Sequence, residues 1–118
     1  MIRAVLTQNA DGSYTACSVR GHSDHAEAGY DIVCAGASTL ALTCVNSLEA
    51  LCGIPTETTV TACDDGVLVF SLPRDLSAAV MHDAQILLRS LQLGLAALAE
   101  QYPDDIHLSI SNGGKHHD

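Results

Sequence analysis

Tryptophan is absent from this 118-residue chain, phenylalanine occurs once and tyrosine three times. The aromatic platforms on which single-stranded nucleic-acid binders stack bases are therefore missing. Positive charge is equally scarce: five Lys and Arg stand against 14 Asp and Glu, giving a formal net charge of −9. A polyanion would be repelled at long range, so direct nucleic-acid binding is not expected and a basic partner is favoured. No C-x-x-C pair occurs among Cys17, Cys34, Cys44, Cys52 and Cys63, and five is an odd number. Neither a disulfide framework nor a zinc knuckle is expected, and reduced thiols in a cytosol fit better. The opening Met1 to Gln8 has no apolar run of signal-peptide length. The longest uncharged stretch, Ile32 to Leu48, is 17 residues long and carries Ser38, Thr39, Thr43, Asn46 and Ser47. It falls just short of a membrane span, and a soluble, cytoplasmic protein is expected.

What is present is a hydrophobic share of 47% in 12.3 kDa, enough for one core and one domain over residues 1–118. Residues 2–9 and Tyr14 to Val19 alternate around the turn Ala10-Asp11-Gly12-Ser13, which predicts a β-hairpin. Gly21 to Tyr30 has no period and reads as a loop. Apolar positions at Ile32, Ala35, Thr39, Leu42, Val45, Leu48 and Leu51 predict a helix, capped by Asp31 and ended by Gly53 and Pro55. Glu57 to Cys63 and Val67 to Leu72 flank Asp64-Asp65-Gly66, a second hairpin whose acid pair reads as turn chemistry. Leu76, Val80, Ala84, Leu87, Leu91, Leu95 and Leu98 define a second helix, capped by Asp75 or Ser77 and ending before Pro103. Asp105 to Ser111 alternates again, and residues 112–118 read as a frayed, disordered tail.

The order β-β-α-β-β-α-β predicts an α+β layer fold: two long helices packed in a sandwich with an antiparallel β-sheet. Both helices also carry apolar residues off the main stripe, at Val33, Ala37, Leu40, Ala41, Ile86, Leu88 and Leu93. A helix apolar on most sides must be covered on more than one, so strands on two faces together with a second copy of the chain are expected.

Chemistry concentrates between Gly21 and Ser38. With Asp31 as cap, Cys34 falls in the first helical turn, where unpaired N–H groups and the helix dipole favour a thiolate. His22, at the end of the preceding strand, is a candidate partner. A thiolate and an imidazole in contact supply a nucleophile and a general acid for a leaving amine, the minimum for cutting an amide. The plainer reading is that a cysteine on a helix is a small buried hydrophobe, which suits Cys17, Cys44, Cys52 and Cys63 better than Cys34. A metal held by His22, His25 and Cys34 would lack a fourth ligand unless Asp24 or water joined, and no metal is expected. Asp31 is more readily a cap than an orienting carboxylate. Ser38 lies one turn beyond Cys34 and can serve the site wall or bond its own i−4 carbonyl.

The run G-H-S-D-H-A-E-A-G-Y-D-I-V-C-A-G-A-S resembles the signature of the ribosomal-processing cysteine protease family called Prp, and the element order matches over nearly the whole chain. The resemblance implies a small cytosolic homodimer that removes an N-terminal extension from a large-subunit ribosomal protein precursor, the twenty-seventh. His22 and Cys34 fall on the family's catalytic dyad, and Gly21, Asp31 and Ser38 on its supporting positions. Ala37 stands where the family often has a larger aliphatic residue, which bears on packing. No metal or organic cofactor is implied. The oxyanion would be held by backbone N–H groups at the helix start, Cys34 first among them. Two other classes compete: a non-catalytic acidic dimer that clamps a basic ribosomal protein, and a thiol redox sensor pairing Cys34 with Cys44 or Cys52. Ten or eighteen residues along one helix hold those sulfurs far apart at ~1.5 Å per residue, which disfavours the sensor.

Overall fold

The computed structural model describes residues 1–21, 28–64 and 66–113, with the side chains of 28–31 outside that description. The elements are β1 (Ile2–Gln8), β2 (Tyr14–Arg20), α1 (Ala28–Cys52), a single turn α2 (Thr56–Thr59), β3 (Val60–Asp64), β4 (Val67–Ser71), α3 (Ala78–Gln101) and β5 (Ile106–Asn112). The predicted order therefore holds, with α2 added where the sequence reads as the start of a strand. The α+β class holds as well. The strands form one sheet in the order β3-β4-β2-β1-β5. Four strands are antiparallel neighbours, but β5 runs parallel to β1, so the sheet is mixed rather than antiparallel. A parallel neighbour needs a long crossover, and α3 supplies it.

The core lies between the sheet and the helix pair. Period-two alternation sends Ile2, Ala4 and Leu6 of β1, Cys17 and Val19 of β2, and Leu68 and Phe70 of β4 to the helix side, all buried. Facing them are Val33, Ala37, Ala41, Val45 and Leu48 of α1, and Ala84, Leu88, Leu91 and Leu95 of α3. For α1 this corrects the predicted stripe: Ile32, Leu42 and Leu51 are 61%, 42% and 73% exposed. Both faces of α1 are apolar, so periodicity cannot choose between them. The face carrying alanines allows the helix to sit close to the sheet, and it is the one buried. Among the described residues, strands cover the helix layer on one side and not two.

Local chemistry sets the ends. The Ser77 hydroxyl accepts from the Val80 N–H at 3.2 Å and caps α3, one of the two predicted caps. Gly53, at φ +72°, ends α1 by turning its own N–H and that of Ile54 back to the Glu49 and Leu48 carbonyls. The Gln85 side chain bonds both the N–H and the carbonyl of Tyr14 at 2.7 Å, tying α3 to the sheet. The segment Ile32–Cys52 is long and apolar enough to cross a membrane, yet its alanine-bearing stripe is packed into this core.

Candidate active site

α1 begins at Ala28, three residues before the predicted cap, so Asp31 is its fourth residue and not its N-cap. Cys34 is the seventh. Two expectations change with that shift. The dipole effect fades beyond the first turn, and Cys34 lies beyond it, not inside it as the sequence suggests. The Cys34 N–H is committed to the carbonyl four residues earlier, as any interior helical N–H is, and is not a spare oxyanion donor.

Cys34 is half-buried and unpaired as a thiol, and it opens on a cleft of about 210 Å³ at the β1-start, β2-end corner of the sheet. The floor is apolar, from Ile2, Val19, Ala37 and Val67, and the rim carries Gly21, Ser38, Asp64 and Gly66. The structure thus brings Gly21, Cys34 and Ser38 together. His22, and His25 of the metal alternative, lie outside the described residues, as do the Asp31 side chain and residues 114–118 of the expected 112–118 tail, whose first residue, Asn112, instead ends β5. Ser38 is exposed, and among the described residues its hydroxyl has no hydrogen-bond partner, its own i−4 carbonyl included. Among the described residues no three His, Cys, Asp or Glu side chains gather as a metal site.

The other thiols differ sharply. Burial pushes Cys17 up to about 12, reinforced by Cys44. Burial also lifts Cys44 to about 12, with a smaller repulsion from Cys52. Cys52 is raised by burial and by Asp83. Cys63 is exposed but lines no cleft with Cys34. A larger groove, about 570 Å³, lies at the opposite end of the sheet between Thr15, Leu72, Arg74 and Met81, and no cysteine or histidine lines it.

Sequence reasoning missed the contribution of the β3–β4 turn. Asp64 and Gly66 read as a turn and nothing more, yet they form one wall of the Cys34 cleft. A turn signal shows that the chain reverses there, and strand order decides what the reversal meets. That order puts β4 beside β2, with Val67 opposite Arg20, so the turn lands against Gly21.

The cysteine protease Prp family matches residues 1–107. A ribosomal processing cysteine protease Prp from Staphylococcus aureus is 34% identical over 110 residues, covering 92% of this chain and 98% of the relative. Its Bacillus subtilis counterpart is 27% identical over 111 residues, covering 94% and 98%. The crystal structure of the Staphylococcus aureus protease in complex with a substrate peptide superposes with a TM-score of 0.80 at 28% identity, over 94% of this chain and all of that one. A Streptococcus mutans structure gives 0.75 at 30% identity over 95% of each chain. The family match takes in β1 to β4 and both long helices, so this chain belongs to the cysteine protease Prp family and is a cysteine protease.

Proposed function

We propose that this chain removes the N-terminal extension of a basic large-subunit ribosomal protein precursor, the twenty-seventh, with Cys34 as nucleophile and His22 as its base. The observation that carries the reading is a half-buried Cys34 in a cleft whose rim is Gly21, the residue immediately before His22. The Staphylococcus aureus relative has been crystallised with a substrate peptide and with a covalently linked product peptide, which supports covalent chemistry in a site of this shape.

His22 takes the Cys34 proton, and the sulfur attacks the scissile carbonyl carbon to form a C–S bond. The C–N bond breaks as protonated His22 gives its proton to the leaving amine. Water then loses a proton to His22 and attacks the thioester, and the returning proton regenerates the thiol. Each step balances with water alone. The Ser38 hydroxyl, in the same cleft and free to rotate, is the donor we assign to the developing oxyanion in place of the Cys34 N–H. Gly21 and Asp31 support the dyad. The chain acts in the cytoplasm and as a homodimer, the second copy covering the apolar residues that α1 and α3 leave exposed.

Mass spectrometry of the precursor incubated with the protein tests the reading. A shortened N-terminus is expected for wild type and an unchanged mass for Cys34→Ala, Cys34→Ser and His22→Ala. Near wild-type cleavage by either Cys34 variant would refute it.

A further inference from the structure

We propose that the β3–β4 turn is a positioning device for catalysis, in which Gly66 holds Gly21 and so sets the next residue, His22, against Cys34. The proposal rests on the dyad reading above and names what keeps that dyad in register. Two independent features of Gly66 carry it. Its carbonyl accepts the Gly21 N–H at 2.8 Å, a bond between the hairpin turn and the last described residue before His22. It also lacks a side chain where one has no room: a Cβ on Gly66 would overlap the Gly21 carbonyl oxygen. That neighbour is backbone and cannot swing aside as the end of a leucine could. One feature draws the two chains together, and the other permits the approach.

Turn conformation alone does not account for this. Gly66 is left-handed at φ +77°, where a side chain is disfavoured in any case. Gly12, in the β1–β2 turn at the opposite end of β2 from Gly21, has φ +91° and nothing within 4 Å of an added Cβ. The two positions share the conformational requirement. Of the two, only Gly66 adds the contact, and only Gly66 lines the Cys34 cleft, together with Gly21. A thiol and its base must meet at hydrogen-bond distance, and a misplacement of about 1 Å can cost about a hundredfold in rate. The strand end that leads into His22 is therefore a place where a small backbone shift is costly.

The experiment compares Gly66→Ala, Gly66→Asn and Gly12→Ala, with His22→Ala alongside. Precursor cleavage, thermal melting and the pH dependence of Cys34 alkylation are measured on each, the last by peptide mapping. Gly66→Ala and Gly12→Ala should both lower the melting temperature, since both place a Cβ at positive φ. Gly66→Ala should also lose ten- to hundredfold in kcat with KM changed less than threefold, and move its Cys34 alkylation profile to higher pH, toward that of His22→Ala. Gly12→Ala should stay within twofold of wild type. Asn tolerates the left-handed region but keeps the clashing Cβ, so Gly66→Asn should fold better than Gly66→Ala and still lose activity. If Gly66→Ala does not fold, Gly66→Asn decides. An inactive His22→Ala together with Gly66 variants as active as Gly12→Ala would overturn the positioning role and leave the dyad standing. A His22→Ala variant at the wild-type rate would instead overturn the dyad.

Discussion

Cys34 is set apart from the other thiols by its cleft more than by its place on the helix. Cys17 and Cys44 keep their protons well above the ordinary range because burial opposes the charged form. In a brief iodoacetamide pulse near neutral pH, peptide mapping should find Cys34 modified first and Cys17 and Cys44 unmodified. In the dyad proposed above His22 is the base for Cys34, so His22→Ala should remove most of the Cys34 labelling in the same pulse. Equal labelling of all five would refute the assignment. The same burial has a stability consequence. An unfolded thiol ionises near about 8.5, so below that pH neither state is charged and the contribution of Cys17 and Cys44 is fully present. As pH rises from there toward their folded value of about 12, the unfolded state gains and stability falls. The loss is up to about 1.4 kcal/mol per pH unit for each thiol. Urea midpoints should drop above pH ~9, and Cys17→Ala, weaker at neutral pH through its cavity, should drop less steeply. Parallel slopes would refute the linkage.

At the scale of elements, α3 packs tightly on α1 at Gly94, where an added Cβ would lie 2.9 Å from one Leu40 methyl and 3.0 Å from the other. Gly94→Ala gains about 1 kcal/mol of helix propensity, and because the crowded atoms are the end of a flexible Leu40 side chain that can give, the overpacking loss should be about as small and the net change by denaturant titration near zero. Combining it with Leu40→Ala should cost less than the sum of the single changes, because the smaller side chain vacates the contact. An additive double variant would argue against it. Ser77→Ala should cost about 1 kcal/mol by removing the α3 cap, whereas Asp31→Ala should cost less than that, because Asp31 is the fourth residue of α1 and not its N-cap. The existence and order of the long elements were legible because turns and periods agree locally, as at Gly12, Ser77 and Gly53. The start of α1 was not, because Ala28, Gly29 and Tyr30 carry no cap signal and Asp31 resembles one. The buried face of α1 was not either, since Ile32 and Leu42 are as apolar as Val33 and Ala41, and only the sheet selects between them. Of the site, Gly21, Cys34 and Ser38 were readable as one run of sequence. Asp64 and Gly66 reach the same cleft through strand order, a long-range fact that a local pattern does not contain.

The whole molecule joins an apolar outer helix face to an acidic surface, and each half makes its own prediction. Leu51 and Leu93 are 73% and 68% exposed, with Ile32 and Ile86 also more than half exposed. The homodimer proposed above would cover these residues, whose exposure is costly in water, so light scattering should report a dimer that Leu51→Lys with Leu93→Lys converts to monomer. A wild-type monomer would refute the homodimer. The acidic surface concerns the substrate. At −9 the chain attracts a basic protein before contact, and Asp64 places a carboxylate at the cleft rim that has no ion-pair partner among the described residues. Long-range attraction acts on encounter and is screened by salt, with a Debye length of about 10 Å at 0.1 M that shortens to about 3 Å at 1 M. Raising salt from ~20 to ~500 mM should therefore lower kcat/KM for the full-length precursor about tenfold, chiefly through KM. A short uncharged peptide spanning the cleaved bond has no such attraction to lose, and its kcat/KM should stay nearly constant. Asp64→Asn removes one charge at the rim and should lower kcat/KM for the precursor at low salt while leaving the uncharged peptide unaffected. The two substrates responding alike to salt would mean that recognition rests on contacts in the cleft and not on the field of the whole molecule.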